Sequence, residues 1–162
     1  MTNPYTKDDL QTFLDSKEIE AQILQLDAPT PTVPDAAEAV GAGVDQIVKS
    51  VLFMVEDRPV MTITCGPENV ERRVLSNKYG VGRKKVRLAN PTQVLRHTGY
   101  PVGTVPPFGY PQPLDTLIDP AVLTQNEVYA GGGEHNTLLR IAPQLIVHTT
   151  RAEILNLHSL PE

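Results

Sequence analysis

Apolar positions recur along this chain with two periods, and each change of period marks a change of element. Between Thr6 and Lys17, Leu10, Phe13 and Leu14 form a stripe at helical spacing, and Thr6 with Asp9 has capping-box spacing, so a helix is expected. Ile19 to Leu26 alternates and reads as a strand. Ala28 to Pro34 is a proline- and threonine-rich turn, and the alanine-rich Asp35 to Val40 reads as a short helix closed by Gly41. Val44 to Val55 and Arg58 to Thr64 are apolar, β-branched runs separated by Glu56-Asp57, the pattern of an antiparallel hairpin. A helix is expected to start at Pro67, to carry Val70, Val74 and Leu75 on one face, and to stop at Gly80 or Gly82.

Val86 to Ala89 follows as a short strand and Pro91 to Thr98 as a helix ending at Gly99. Tyr100 to Pro113 holds prolines at 101, 106, 107, 111 and 113, which excludes regular structure, and a loop this long in a compact domain is usually functional or disordered. Leu114 to Ile118 reads as a strand and Ala121 to Leu123 as a helical turn. Glu127 to Ala130 and Thr137 to Ile141 read as strands on either side of Gly131-Gly132-Gly133, and Pro143 to Val147 and Ala152 to Leu157 as short helices. Hairpins interleaved with helices point to an α+β (mixed α/β) fold, a mixed, mostly antiparallel sheet with surrounding helices, in a single domain spanning 1–162.

Composition sharpens this picture in two places. Aromatic residues make up 5% of the chain and Trp is absent, so the core must be built from Val, Leu and Ile. The net charge of −5 argues against a protein that coats nucleic acid non-specifically. Yet seven of the 14 Lys and Arg fall between Arg72 and Arg87 (Arg72, Arg73, Lys78, Arg83, Lys84, Lys85, Arg87), either a solvated helix face or a strip able to steer a polyanion. The single cysteine, Cys65, excludes an internal disulfide framework and suits a reducing compartment. Met1 to Leu10 has no apolar run or basic start, and Val51 to Val55 is too short to cross a bilayer, so a cytoplasmic setting without membrane contact is expected.

Three segments are candidates for chemistry. Lys49 lies in the most apolar strand and shares its alternation with Ile47, Val51 and Phe53; it is either a cleft lysine or an edge lysine whose ammonium snorkels to water. Gly99 through Gly109 (with Gly103, Thr104, Val105, Pro106, Pro107 and Phe108) combines glycines, which permit close backbone approach, with prolines, which stiffen the loop. Such a loop is either a surface turn or a source of backbone N–H donors for a carbonyl or its oxyanion. Gly131-Gly132-Gly133-Glu134-His135-Asn136-Thr137 lacks the lysine of a phosphate loop and reads first as a flexible hairpin turn. His97, His135, His148 and His158 are scattered and Cys65 stands alone, so no metal or cofactor is expected. Asp115 and Asp119 could pair as carboxylates, but Asp119-Pro120 looks more like a turn or cap.

Four segments, in order and spacing, resemble the YbaK/prolyl-tRNA-synthetase-associated editing domain family: Thr30-Pro31-Thr32-Val33-Pro34-Asp35-Ala36-Ala37, Gln46-Ile47-Val48-Lys49-Ser50, Thr98-Gly99-Tyr100 through Phe108-Gly109, and Leu117-Ile118-Asp119. The resemblance runs from about Leu10 to Leu157. It implies a free-standing deacylase that hydrolyses the ester of a misacylated tRNA, with Ala, Cys or Ser as the amino acid and prolyl-tRNA synthetase as a candidate partner. It places the family's lysine at Lys49 and its glycine-to-proline loop at Gly103 to Pro107, and its glycine-bearing strand end at Gly131 to Gly133. Thr32, Ser50, Gly99, Gly109 and His135 complete the implied substrate contacts. The rival expectation is a domain that binds tRNA or an aminoacyl group without cleaving it.

Overall fold

The computed structural model describes residues 3–158; the outermost residues of the expected 1–162 span lie outside the described part. In chain order, α1 (Lys7–Ser16) leads to β1 (Ala21–Gln25), α2 (Val33–Val40), the hairpin of β2 (Val48–Val55) and β3 (Arg58–Cys65), and α3 (Arg72–Tyr79). Then come β4 (Val86–Leu88), α4 (Pro91–Thr98), β5 (Asp115–Ile118), β6 (Val128–Gly131), β7 (Thr137–Ile141), α5 (Pro143–Thr150) and β8 (Glu153–Ile154). The α+β expectation holds, but the strands divide into two sheets. One has the order β4-β2-β3-β5-β8 and is mixed, since β3–β5 and β5–β8 run parallel; the other, β1-β7-β6, is antiparallel.

Alternation along the central hairpin sorts the core. Val48, Leu52 and Met54 of β2, with Met61, Ile63 and Cys65 of β3, join a cluster shared with Leu10 and Leu14 of α1, Val94 of α4, and Val128, Ala130, Leu139 and Ile141 of the smaller sheet. The opposite face, with Phe53, Val55 and Val60, packs under Val74 and Leu75 of α3 and under Leu157. α2 lays Ala36 and Ala37 over Ile47, Tyr129 and Leu138. Helix ends follow local chemistry: Thr6 and Asp9 form the expected capping box, and Gly41, Gly80 and Gly99 close α2, α3 and α4 in the left-handed conformation.

Two expected helices are corrected. The helix placed at Pro67 begins only at Arg72, because residues before it are held by tertiary bonds: the Glu71 N–H donates to the Leu157 carbonyl at 2.7 Å. Ala152 to Leu157 is not helical. Arg151 ends α5 at φ 57, Glu153 and Ile154 pair with Leu117 and Ile118, and the Leu155 N–H donates to the Ile118 carbonyl at 3.0 Å. Six residues are too few to support an isolated helix, so pairing to an available sheet edge wins. The run from Val44 likewise opens as a 3-10 turn, Val44–Gln46, before β2 starts.

Candidate functional site

β2 has two different neighbours along its outer edge and a gap between them. Its far end pairs with β4, from Phe53 opposite Leu88 to Val55 opposite Val86, while its near end meets the smaller sheet through one bridge, Ile47 to Tyr129. The Leu52 carbonyl accepts from the Ala89 N–H at 3.0 Å, and the Glu56 N–H donates to the Lys85 carbonyl at 2.8 Å. Even-numbered residues of β2 therefore aim their peptide groups at this edge, and alternation turns both the N–H and the C=O of Ser50 into the gap.

The gap is a cavity of about 360 Å³. β2 from Ile47 to Leu52 forms one side; the start of α2 (Thr32, Val33, Ala36), Leu88-Ala89, the loop at Val102, Gly103 and Val105, and Ala130-Gly131 form the others. Its wall is mostly aliphatic, a surface that excludes water and selects by shape. Lys49 lies on its rim and also lines a second groove with Thr64, Asn69 and Arg72.

Lys49 is half-buried, and its Nζ donates to the Glu68 carbonyl at 2.8 Å. Burial pulls the Lys49 pKa down from the ordinary lysine value; the negative charges of Cys65 and Glu68 oppose this. Cys65 contributes little near neutrality, because burial first, then Asp119 and Asp45, push its thiol up to about 11. A thiol held protonated is a poor nucleophile, so Cys65 is a core residue. Two hydroxyls beside Lys49, Ser50 Oγ and Thr64 Oγ1, are buried with no hydrogen-bond partner, and each such group costs roughly 1–3 kcal/mol unless something pairs with it.

Gly103 to Val105 is fixed from behind. The Thr104 N–H donates to the Pro101 carbonyl at 3.1 Å, and the Gly133 N–H donates to the Thr104 carbonyl at 2.9 Å. A Cβ on Gly131 would lie 2.2 Å from the Val105 carbonyl oxygen, so only glycine lets β6 and this loop meet there. Gly103 itself, at φ 88, is exposed, and the His135 ring packs against it. The Thr104 N–H is thus committed, while Gly103 and Val105 on either side of it line the cavity.

The structure thus brings Thr32, Lys49, Ser50, Gly103, Val105 and Gly131 together around one cavity. The remaining candidates are arranged otherwise. Gly99 lies under Tyr5 and Gly109 against Phe13, while Phe108 stacks on Phe13 with ring centroids 5.3 Å apart. Pro106 and Pro107 are buried, Thr104 and Gly133 brace the loop from behind, and Gly132 packs against Thr137 and Leu138. Asp115 pairs with Arg58 on the surface, whereas Asp119 is buried, caps the turn at Ala121 and accepts the Leu157 N–H, so the two do not act as a carboxylate pair. No group of three or more metal-ligating side chains is found among the described residues. The sequence reading missed the aliphatic wall (Leu52, Met61, Ala89, Val94) and the Glu68 carbonyl that holds Lys49. The even positions of β2 carried the signal for the wall; a backbone acceptor 19 residues away carried none.

Fold and site together define a small α+β domain with an aliphatic, lysine-rimmed pocket at the seam of two sheets. The chain belongs to the aminoacyl-tRNA editing domain family, whose model matches residues 27–148. A solved structure described as a candidate trans-editing enzyme for prolyl tRNA synthetase aligns with a TM-score of 0.88 and 31% identity over 95% of this chain and 97% of that one. Uncharacterized protein YwhH of Bacillus subtilis is 25% identical over 126 residues, 77% of this chain and 78% of that protein. The proline–tRNA ligase of Lactiplantibacillus plantarum is 29% identical over 111 residues, 68% of this chain but 19% of the ligase, so the chain corresponds to a small part of that enzyme.

Proposed function

We propose that this protein is a trans-acting deacylase that hydrolyses the ester between a small, wrongly attached amino acid (Ala, Cys or Ser) and the terminal ribose of a tRNA of the proline type. The observation that carries this reading is the convergence of Lys49, the Ser50 peptide edge and the Gly103–Val105 loop on one mostly aliphatic cavity, in a member of the editing-domain family.

An aminoacyl ester is already activated, so positioning and electrostatics supply the rate. The aliphatic wall accepts a small side chain and rejects a large one; size exclusion is effective where one methylene gives only about 1–3 kcal/mol of discrimination by fit. In this reading the Ser50 carbonyl accepts from the α-amino group, and the amides of Gly103 and Val105 donate to the ester carbonyl as charge develops on its oxygen. The Lys49 ammonium holds the terminal ribose or phosphate oxygens and favours that same negative charge. Water adds to the carbonyl carbon, the bond to the ribose oxygen breaks, and the water's proton passes to that oxygen, releasing the amino acid and an intact tRNA 3′ end. With no carboxylate or imidazole among the described residues that line the cavity, the substrate's own ribose hydroxyl or amino group relays the proton.

Incubating the purified protein with a panel of tRNAs, each charged with one labelled amino acid, tests the reading. Release of one or a few small amino acids is expected, with prolyl-tRNA spared. Binding without release across the panel would replace the deacylase with a binding module.

A further inference from the structure

Six exposed cations lie on neighbouring elements: Arg72 and Arg73 at the start of α3, Arg83, Lys84 and Lys85 in a 3-10 turn beside α3, and Arg87 on β4, where alternation turns it to the sheet face opposite Val86 and α3. The ion pairs among the described residues involve Arg58, Lys78, Arg140 and His158, and none of these six. Lys78, the seventh cation of the strip, is paired with Glu153 at 2.6 Å. The nearest acids in the chain are Glu56 and Asp57 at the hairpin turn and Glu68 and Glu71 before α3. In a chain of net charge −5 this gathers positive charge around α3 and β4.

β4 is an edge strand, and charges on edge strands also block unwanted pairing. That accounts for Arg87 but not for Arg72, Arg73 and Arg83, which lie off the strand. The charged surface also leads to the site. Arg72 shares the second groove with Lys49, and Leu88, next after Arg87, lines both the groove and the cavity. Leu88 and Val102 are 55% and 51% exposed, an apolar rim at the cavity mouth. From Lys85 to Leu88 the strand covers roughly 10 Å, comparable with the Debye length of about 8 Å at physiological salt, so the strip's field reaches whatever enters there.

We infer that the surface formed by the start of α3, the Arg83–Lys85 turn and β4 binds the acceptor-end phosphates of the RNA whose aminoacyl terminus enters the cavity, with Leu88 and Val102 packing against its unstacked last base. This rests on the reading proposed above for the cavity, and adds where the polynucleotide lies. The test uses an uncharged acceptor-stem minihelix, whose binding needs no turnover, followed across a salt series by fluorescence anisotropy. The Arg83→Glu/Lys84→Glu/Lys85→Glu variant is expected to bind at least tenfold more weakly, with the salt slope reduced by about 2 to 3, near one per lost phosphate contact. The milder triple glutamine variant of the same residues is expected to fall between it and the parent, and Lys17→Glu, at the end of α1, to match the parent.

On charged substrates, the glutamate variant is expected to raise KM for aminoacyl-tRNA while hydrolysing an aminoacylated CCA trinucleotide at the parent rate. Unchanged minihelix affinity in the folded triple variants would overturn the inference even if deacylation were established. Equal loss on tRNA and trinucleotide would also overturn it. Weakened minihelix binding in a protein that releases no amino acid would keep this surface and remove the hydrolase reading.

Discussion

Lys49 holds its charge in surroundings that only half support it, and this has opposite consequences for stability and for catalysis. Burial lowers its pKa, so between that lowered value and the ordinary lysine value near 10.4 the unfolded chain binds more protons than the folded one. Stability attributable to this group therefore rises with pH across that window, since the cost of burying an ammonium disappears. If the ammonium works on the substrate, deacylation falls across the same window. The difference in unfolding free energy between the parent and Lys49→Gln, followed by urea titration at several pH values, is expected to grow in the parent's favour as pH rises. The deacylation rate, corrected for spontaneous ester hydrolysis, is expected to begin its decline below the ordinary lysine value; a rate that declines only at or above that value would detach Lys49 from the chemistry. Lys49 was legible in the sequence because a lysine inside an apolar strand is unusual. Its anchor was not, because the Glu68 carbonyl is a backbone atom brought near only by the path from Gly66 to Glu71.

At the scale of elements, contacts between segments distant in sequence decide what local pattern leaves open. Gly131 is a case where backbone meets backbone: a methyl group there would press on the Val105 carbonyl from 2.2 Å, and neither segment is a flexible side chain. Gly131→Ala is expected to destabilise by about 1–3 kcal/mol and to displace the Gly103–Val105 loop, raising KM. Gly80→Ala supplies the contrast. Gly80 needs its left-handed φ of 66 to cap α3 but has nothing within 4 Å, so it is expected to cost about 1 kcal/mol and leave deacylation unchanged. Thermal unfolding beside steady-state kinetics separates the two. The C-terminal segment behaves similarly. Leu157 is fully buried under the central hairpin, and its backbone bonds tie Glu71, three residues after the Glu68 anchor of Lys49, to Asp119. Leu157→Ala is expected to cost about 2–5 kcal/mol, read as a lowered urea midpoint. Strongly patterned elements such as α1, the hairpin and α4 were legible from sequence. The late start of α3 and the strand at Glu153–Ile154 were not, because both follow from partners that only the folded chain provides.

Across the whole molecule, the site exists because two sheets part company along β2. One neighbour, β4, leaves at Leu52, the other touches only at Ile47, and the cavity occupies the interval with a peptide edge, a lysine and a glycine-braced loop around it. Alternation and turn chemistry could announce an α+β chain, but not the division into two sheets, since nothing local in β6 or β7 states which strand edge they will meet. No helix among the described residues is long and apolar enough to cross a membrane. The most direct measurement is the first-order rate of amino-acid release from a misacylated tRNA by the parent protein and by Lys49→Ala, with circular dichroism and thermal unfolding run on both. The account predicts a rate at least about 100-fold lower in a variant that still folds. A folded Lys49→Ala protein that releases the amino acid at the parent rate would contradict it.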